Sequence, residues 1–384
     1  MNPTRVQTRA AGQFKCLGAE CPDTCCAGWS MQLTGETIAQ YEQHAPELLN
    51  DVVADESGFM MKRDAQTSEC VKFEQGLCAI QRDYSEDLLG DACYFFPRIT
   101  RALGASLLTT MTMACPEAAR LMLYEPGAFT LSERTQVRTP YSLRNYLPQG
   151  IKEEVALAIH TAFIDLANDE RVSAAHSIMR SSAIVRALEM QPYTAWAGAL
   201  EFYMVNADSR IPKAEPLATD LFNLCHALHG LVMASQSHGA RLMGAIDAMA
   251  QMLGITFTPP GSIALADDAA ERAVRVLAIM RKQSLLLQPV LRRYLQAQLS
   301  ESCFPFAGLG HTLSERITII GVRYATIRLA LATLGDVPAQ VDVVRIIQTL
   351  SRFSDHLADP SLSLQIYRET GWSREPRLKA IIGE

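Results

Sequence analysis

Apolar residues at Leu313, Ile317, Ile320, Tyr324, Ile327, Leu331 and Leu334 step by four and three. That spacing keeps one stripe on a helix facing a partner. Thr312 with Glu315 forms a capping box before the stripe, and Gly335 ends it. Arg316 and Arg323, seven apart, share a face off the stripe. They read as a solvated face, with an anion or carboxylate clamp as the alternative. A second stripe runs through Val343, Ile346, Leu350, Phe353 and Leu357, in a helix opening at Asp336 with Pro338 in its first turn. Further helical patterns cover roughly 35–53, 151–168, 171–190, 193–206, 215–236, 239–253, 265–283 and 286–300.

Alternating patterns are scarce, and Leu107–Met113 is the best strand candidate. Thr258-Pro-Pro-Gly261 and the segment from Arg210 to Pro216 are breaks. No internal repeat or low-complexity tract is present. These patterns predict a mainly α chain, with a small irregular cysteine-rich metal-binding domain over 1–135 and a larger helical domain over 136–384. The segment from Glu125 to Pro140 reads as the linker.

Composition adds two constraints. Net charge is −6 and no lysine- or arginine-rich block occurs, so nothing points to nucleic acid. No stretch reads as a membrane span; the longest interval without Asp, Glu, Lys or Arg in the middle region, 221–240, is broken by Asn, Gln and His. Peripheral membrane association and oligomer formation stay open.

The cysteines change the picture more. Eight of ten lie between Cys16 and Cys115, and four fall within eleven residues, Cys16, Cys21, Cys25 and Cys26. A second group comprises Cys70, Cys78 and Cys93, and Cys115 follows. The polar, basic start of the chain has no apolar signal-peptide core, so a cytoplasmic location with reduced thiols is expected. Soft thiolates suit zinc or an iron–sulfur cluster. Disulfides and unligated core cysteines are the alternatives. Neither the paired C-x2-C knuckles of structural zinc nor a ferredoxin run occurs. Local spacing favours Cys16, Cys21 and Cys25 as ligands, with Cys93 as either a fourth thiol or a neighbour of the ligands, and Cys26, Cys70, Cys78 and Cys115 next. Eight thiols exceed the four one cluster requires, so either two centres exist or some cysteines are structural. Cys225 and Cys303 read as buried core residues.

The arrangement of Phe14-x-Cys16, Cys21-x3-Cys25-Cys26-x-Gly28-Trp29, Cys70, Cys78-Ala-Ile80-Gln81, Cys93-x3-Pro97-Arg98 and Cys115-Pro116-Glu117 resembles the flagellin lysine-N-methylase family. It is similar in style to the CxxCxxCC putative zinc- or iron-chelating proteins. The resemblance extends, more weakly, to Tyr141–Tyr146, Tyr324–Arg328 and Ser351-Arg352-x3-His356. It implies methyl transfer from S-adenosylmethionine to ε-amines of surface lysines on flagellin, in the cytoplasm. It also implies an oxygen-sensitive [4Fe-4S] cluster in the cysteine-rich region.

No G-x-G-x-x-G occurs in a strand–turn–helix context, so the cofactor pocket and the catalytic residues are not located. An iron left open by three-cysteine ligation would chelate the amino and carboxylate groups of S-adenosylmethionine or pass an electron. Trp29 is a candidate to stack on adenine or shield the cluster, with core packing as the alternative. Arg98 is a candidate to reach a carboxylate, with a structural ion pair as the alternative. His226 with His229 is a weak metal pair, and Glu20 and Asp23 either orient a substrate lysine or cap a turn. A structural zinc scaffold and a metal-based redox sensor are the competing functions.

Overall fold

The computed structural model describes residues 5–382, apart from 28–30, 57, 135–137, 139, 141–142, 207, 209–215, 236–239, 260, 358–359, 370 and 373–374. The chain opens with β1 (Arg5–Thr8) and α1 (Arg9–Gln13), followed by β2 (Gln32–Leu33), α2 (Gly35–His44), β3 (Val52–Asp55) and β4 (Gly58–Met61). Next come β5 (Phe73–Glu74), β6 (Leu77–Cys78), α3 (Ala79–Asp83) and α4 (Asp91–Phe95). The hairpin of β7 (Arg98–Leu103) and β8 (Ser106–Met111) leads into α5 (Pro116–Tyr124) and β9 (Leu131–Glu133). Helices then dominate: α6 (Glu153–Asn168), α7 (Ala174–Glu189), α8 (Trp196–Asn206), α9 (Ala218–Ala234) and α10 (Ala240–Leu253). After the hairpin β10 (Ile255–Thr258)–β11 (Ser262–Leu265) come α11 (Ala269–Leu286), α12 (Gln288–Glu301), α13 (Leu313–Ala332) and α14 (Gln340–Arg352). One π-helical turn, Phe353–Leu357, precedes α15 (Pro360–Glu369) and α16 (Glu375–Ile382). The molecule is mainly α, as the periodicity predicts. No helix of the described residues is long and apolar enough to cross a membrane.

Three expectations need correction. The pattern over 35–53 breaks at Ala45, where Pro46 opens a 3-10 turn instead of continuing α2. Within the expected linker, Leu131–Glu133 forms β9 and pairs antiparallel with β1, whose other edge is taken by β8 in parallel. The sheet order is β7-β8-β1-β9, so the amino terminus is stitched into a strand pair about a hundred residues away. The third correction concerns α13. The stripe from Ile317 to Leu331 is buried, but so are Thr318, Ile319, Gly321, Val322, Ala325 and Thr326, because helices pack around it on several sides. Gly321 shows how close they come: a Cβ there would lie 2.6 Å from Leu378 Cδ1 of α16.

Arg316 and Arg323 are consequently not a solvated face. Arg316 donates to the carbonyls of Pro305 and Gly310. Arg323 pairs with Asp355 at 3.2 Å and donates to the Ser354 carbonyl at 3.0 Å. The capping box is present as expected: Glu315 N–H donates to Thr312 Oγ1 at 3.1 Å, and Thr312 N–H to Glu315 Oε2 at 3.3 Å. Thr312→Ala should cost about 1 kcal/mol of stability. A denaturant titration that shows no midpoint shift would contradict this.

One apolar core runs from Ala10 to Ile382 and includes α1, β8 and α5 as well as the helices. A smaller core, centred on Met31, Tyr41, Leu48, Met61, Ile80 and Leu88, sits under the short strands. Cys70 is buried in the small core, and Cys26, Cys78 and Cys93 pack against it, while Cys115 belongs to the large one. The thiols thus lie where the two cores meet.

Candidate metal and cofactor site

A cavity of about 760 Å³ opens at this junction. Seven of the eight amino-terminal cysteines line it: Cys16, Cys21, Cys25, Cys26, Cys78, Cys93 and Cys115. Cys70 lies behind the wall, where its N–H donates to the Cys26 carbonyl at 2.7 Å. Cys225 and Cys303 are fully buried elsewhere, as expected of core residues. No disulfide joins the described cysteines.

Short-range chemistry shapes the knot. The tight turn at Gly18 (φ +56°) returns the Cys21 N–H to the Gly18 carbonyl at 3.1 Å, a backbone conformation that glycine adopts without strain. Thr24 N–H donates to Asp23 Oδ1 at 2.8 Å, and Cys26 N–H to Thr24 Oγ1 at 3.0 Å. Cys115 precedes α5, and the N–H groups of Ala118 and Glu117 point at its sulfur.

Long-range contacts fix the loop against the helices. Asp23 Oδ2 accepts from Arg352 Nη1 at 2.8 Å and from Gln348 Nε2 at 2.9 Å, both on α14. Arg352 Nη2 also donates to the Ala27 carbonyl at 2.6 Å, and Gln348 Nε2 to the Ala114 carbonyl at 2.9 Å. Arg241, on α10, donates to the Pro22 carbonyl at 2.7 Å. One helix therefore holds both the Cys21–Cys26 loop and the segment before Cys115. Of the two acids read as candidates in the knot, Asp23 is the anchor of this contact, and Glu20 sits in a 3-10 turn.

The thiols sense one another. A hydrogen bond from Cys26 lowers the Cys25 thiol to about 7, with the Arg352 charge assisting, while the same bond and burial push Cys26 up. Burial pushes up Cys21, Cys70 and Cys93, the last also through nearby Cys78 and Cys25. Cys115 is pushed up to about 12 by burial, against the pull of the α5 N–H groups.

The donor set suits a soft metal or an iron–sulfur cluster in chemistry and exceeds the four thiolates one cluster needs. Among the described residues, no three His, Cys, Asp or Glu side chains already converge as a metal-holding group. The number and type of donors fit, and a closed ligand shell is not preformed.

Other sequence candidates fall as follows. Arg98 lines the cavity, but donates to the carbonyls of Ala11 and Phe14, both at 3.1 Å, and stacks on the Phe14 ring. Trp29 and Gly28 lie outside the described residues, as does the side chain of His356. His226 bonds the Gly261 carbonyl at 2.7 Å and His229 stacks on Phe257, so neither faces a metal partner. Sequence reasoning missed Arg241, Gln348 and Glu86 at the cavity or its anchor. No local signal marks them, because each is an ordinary polar residue on a helix or short turn.

Over 179 residues the chain is 23% identical to a protein named Lysine-N-methylase from Salmonella typhimurium, covering 44% of each. A Lysine-N-methylase from Salmonella choleraesuis gives 23% over 178 residues. The chain is a distant relative of the lysine-N-methylases. The match spans 44% of those relatives' own length. A protein named Flagellar biosynthetic protein FliU from Salmonella muenchen is 24% identical over 156 residues, which cover 38% of this chain and 92% of that one. No family model matches the chain, and no solved structure does.

Proposed function

We propose that the chain is an S-adenosylmethionine-dependent protein-lysine N-methyltransferase acting on flagellin in the cytoplasm, with a cysteine-held [4Fe-4S] cluster. The observation that carries this reading is the gathering of seven thiols, drawn from both sequence groups, on one cavity wall. The names of the distant relatives supply the reaction class.

Cys16, Cys21 and Cys25 would hold the cluster and leave one iron open, with Cys93, Cys26, Cys78 and Cys115 beside them and Cys70 behind. When bound, the cluster supplies an iron that takes up donor ligands or passes one electron. The other residues serve the amine. A lysine side chain must be neutral to accept a methyl group, and its ordinary pKa is about 10.4. Phe14, Phe73, Tyr94 and Phe96 line the cavity and exclude water from the aliphatic stem, which favours the neutral amine. Glu86, on the same wall, forms no ion pair among the described residues and is placed to receive the ammonium and take its proton. Glu117 and Asp23 are instead held by Arg120 and Arg352.

The test is iron, sulfide and zinc content of protein purified without oxygen, followed by transfer of a labelled methyl group to flagellin. About four irons and four sulfides per chain are expected. Cys21→Ala should lose most of both, together with methyl transfer. Stoichiometric zinc without sulfide, and no transfer, would replace this reading with a structural zinc module.

A further inference from the structure

A second cavity, of about 320 Å³, shares Glu86, Tyr94 and Arg98 with the thiol cavity and is completed by Arg134 and Gln7. Arg98 opens β7. Arg134 follows β9 and reaches back across the sheet, donating from Nη1 to Thr109 Oγ1 at 2.6 Å and to Thr100 Oγ1 at 3.3 Å. Two guanidinium groups therefore face one space. No carboxylate of the described residues lies within ion-pair distance of either. Arg98 is committed to two backbone carbonyls through Nε and Nη2, and Arg134 to two hydroxyls through Nη1 alone. The remaining N–H groups, Nη1 of Arg98 and Nε and Nη2 of Arg134, have no hydrogen-bond partner among the described residues.

Two cations against the single acid Glu86 leave this cavity with net positive charge. Their mutual repulsion is real: burial, then the Arg98 charge, then Arg5, hold Arg134 down to about 10. A protein that packs two partly buried guanidiniums together without a carboxylate leaves their desolvation uncompensated, unless an anion from outside completes the site. Planar guanidinium forks match a carboxylate, with two parallel N–H bonds, better than any neutral group.

We propose that Arg98 and Arg134 form a carboxylate-binding subsite for a small ligand whose remainder lies in the adjoining thiol cavity. Resting on the methyl-transfer reading, that carboxylate is the aminoacyl end of the methyl donor. The carboxylate is then held by the protein's own cations rather than by iron.

The experiment uses the full chain and two kinds of probe. The first is 13C-labelled acetate, observed by line broadening. Wild type should broaden the carboxylate signal, and Arg134→Gln should abolish the effect while the thermal melt stays within a few degrees of wild type. Arg98→Lys, which keeps one donor toward Ala11 and Phe14, should weaken it. No broadening with wild type, or equal broadening with Arg134→Gln, overturns the subsite whatever becomes of the methylase. The second probe compares S-adenosylhomocysteine with 5′-methylthioadenosine, which lacks the aminoacyl group. Wild type should bind the former at least about tenfold more tightly, and Arg134→Gln should erase that preference. Acetate binding without that preference upholds the subsite and overturns the methyl donor as the source of its carboxylate.

Discussion

Asp23→Ala is expected to release the Cys21–Cys26 loop while leaving the helical core folded. The Asp23 carboxylate is the shared acceptor for Arg352 and Gln348, with side-chain exposure of only 20% for Asp23 and 17% for Arg352. Removing it leaves a guanidinium and an amide short of partners in a poorly hydrated seam. Arg241, half exposed at 3.7 Å, contributes little. Allowing for partial solvent access, the loss should be about 2 kcal/mol. Because the contact ties a loop to a helix, the loss should appear as local opening, not global unfolding. Amide exchange over 21–27 should accelerate about thirtyfold, as 2 kcal/mol requires. Exchange in α13, at the centre of the helical core, should be unchanged. Iron content should fall with the loop's order if the thiols hold a cluster. Arg352→Lys should keep the charge but not both contacts, to Asp23 and the Ala27 carbonyl, and should lie between wild type and Asp23→Ala. Loop exchange identical to wild type would show that the anchor does not order the thiols.

That anchor marks the boundary of what the sequence makes legible. The 3.6-residue period of Leu313–Leu334, its capping box and the strand near Leu107 depend on neighbours a few residues away, so they can be read directly. The cysteines can be read as a chemical type, but their spacing separates them into two groups. Their meeting on one cavity depends on Asp23 finding Gln348 and Arg352, more than 320 residues later. Strands of two to four residues, such as β2 and β5, carry too few positions to show alternation. The burial of Arg323 is equally hidden. A charged residue off an apolar stripe reads as solvated unless its partner is known, and that partner comes from a π turn beyond the next helix.

That partner carries the second large effect. The π turn Phe353–Leu357 swings Asp355 inward, where Oδ1 accepts from Arg323 at 3.2 Å and Oδ2 from Thr112 Oγ1 at 3.0 Å. Asp355 is 5% exposed and Arg323 20%, so the pair is shielded from solvent. Asp355→Ala should cost about 3 kcal/mol, chiefly by leaving Arg323 buried without its carboxylate. Glu301 limits the damage. Its Oε2 is buried without a hydrogen-bond partner among the described residues, and burial, then the Asp355 charge, hold its carboxyl well above the usual range. The folded state therefore keeps a proton that the unfolded chain releases near 4.5. Glu301 contributes fully below that pH, and its contribution is lost as pH rises through the raised folded value. Glu301→Gln should flatten this decline and raise stability at neutral pH relative to wild type. In Asp355→Ala the repulsion is gone, Glu301 ionises more readily and takes over part of the Arg323 charge. The double variant Asp355→Ala/Glu301→Gln removes that rescue and should be less stable than the two single effects summed. Denaturant titrations of the four proteins at neutral pH measure the coupling. Strict additivity would mean that Glu301 never serves as a reserve partner, and that Arg323 is held by Gln298 and the Ser354 carbonyl alone.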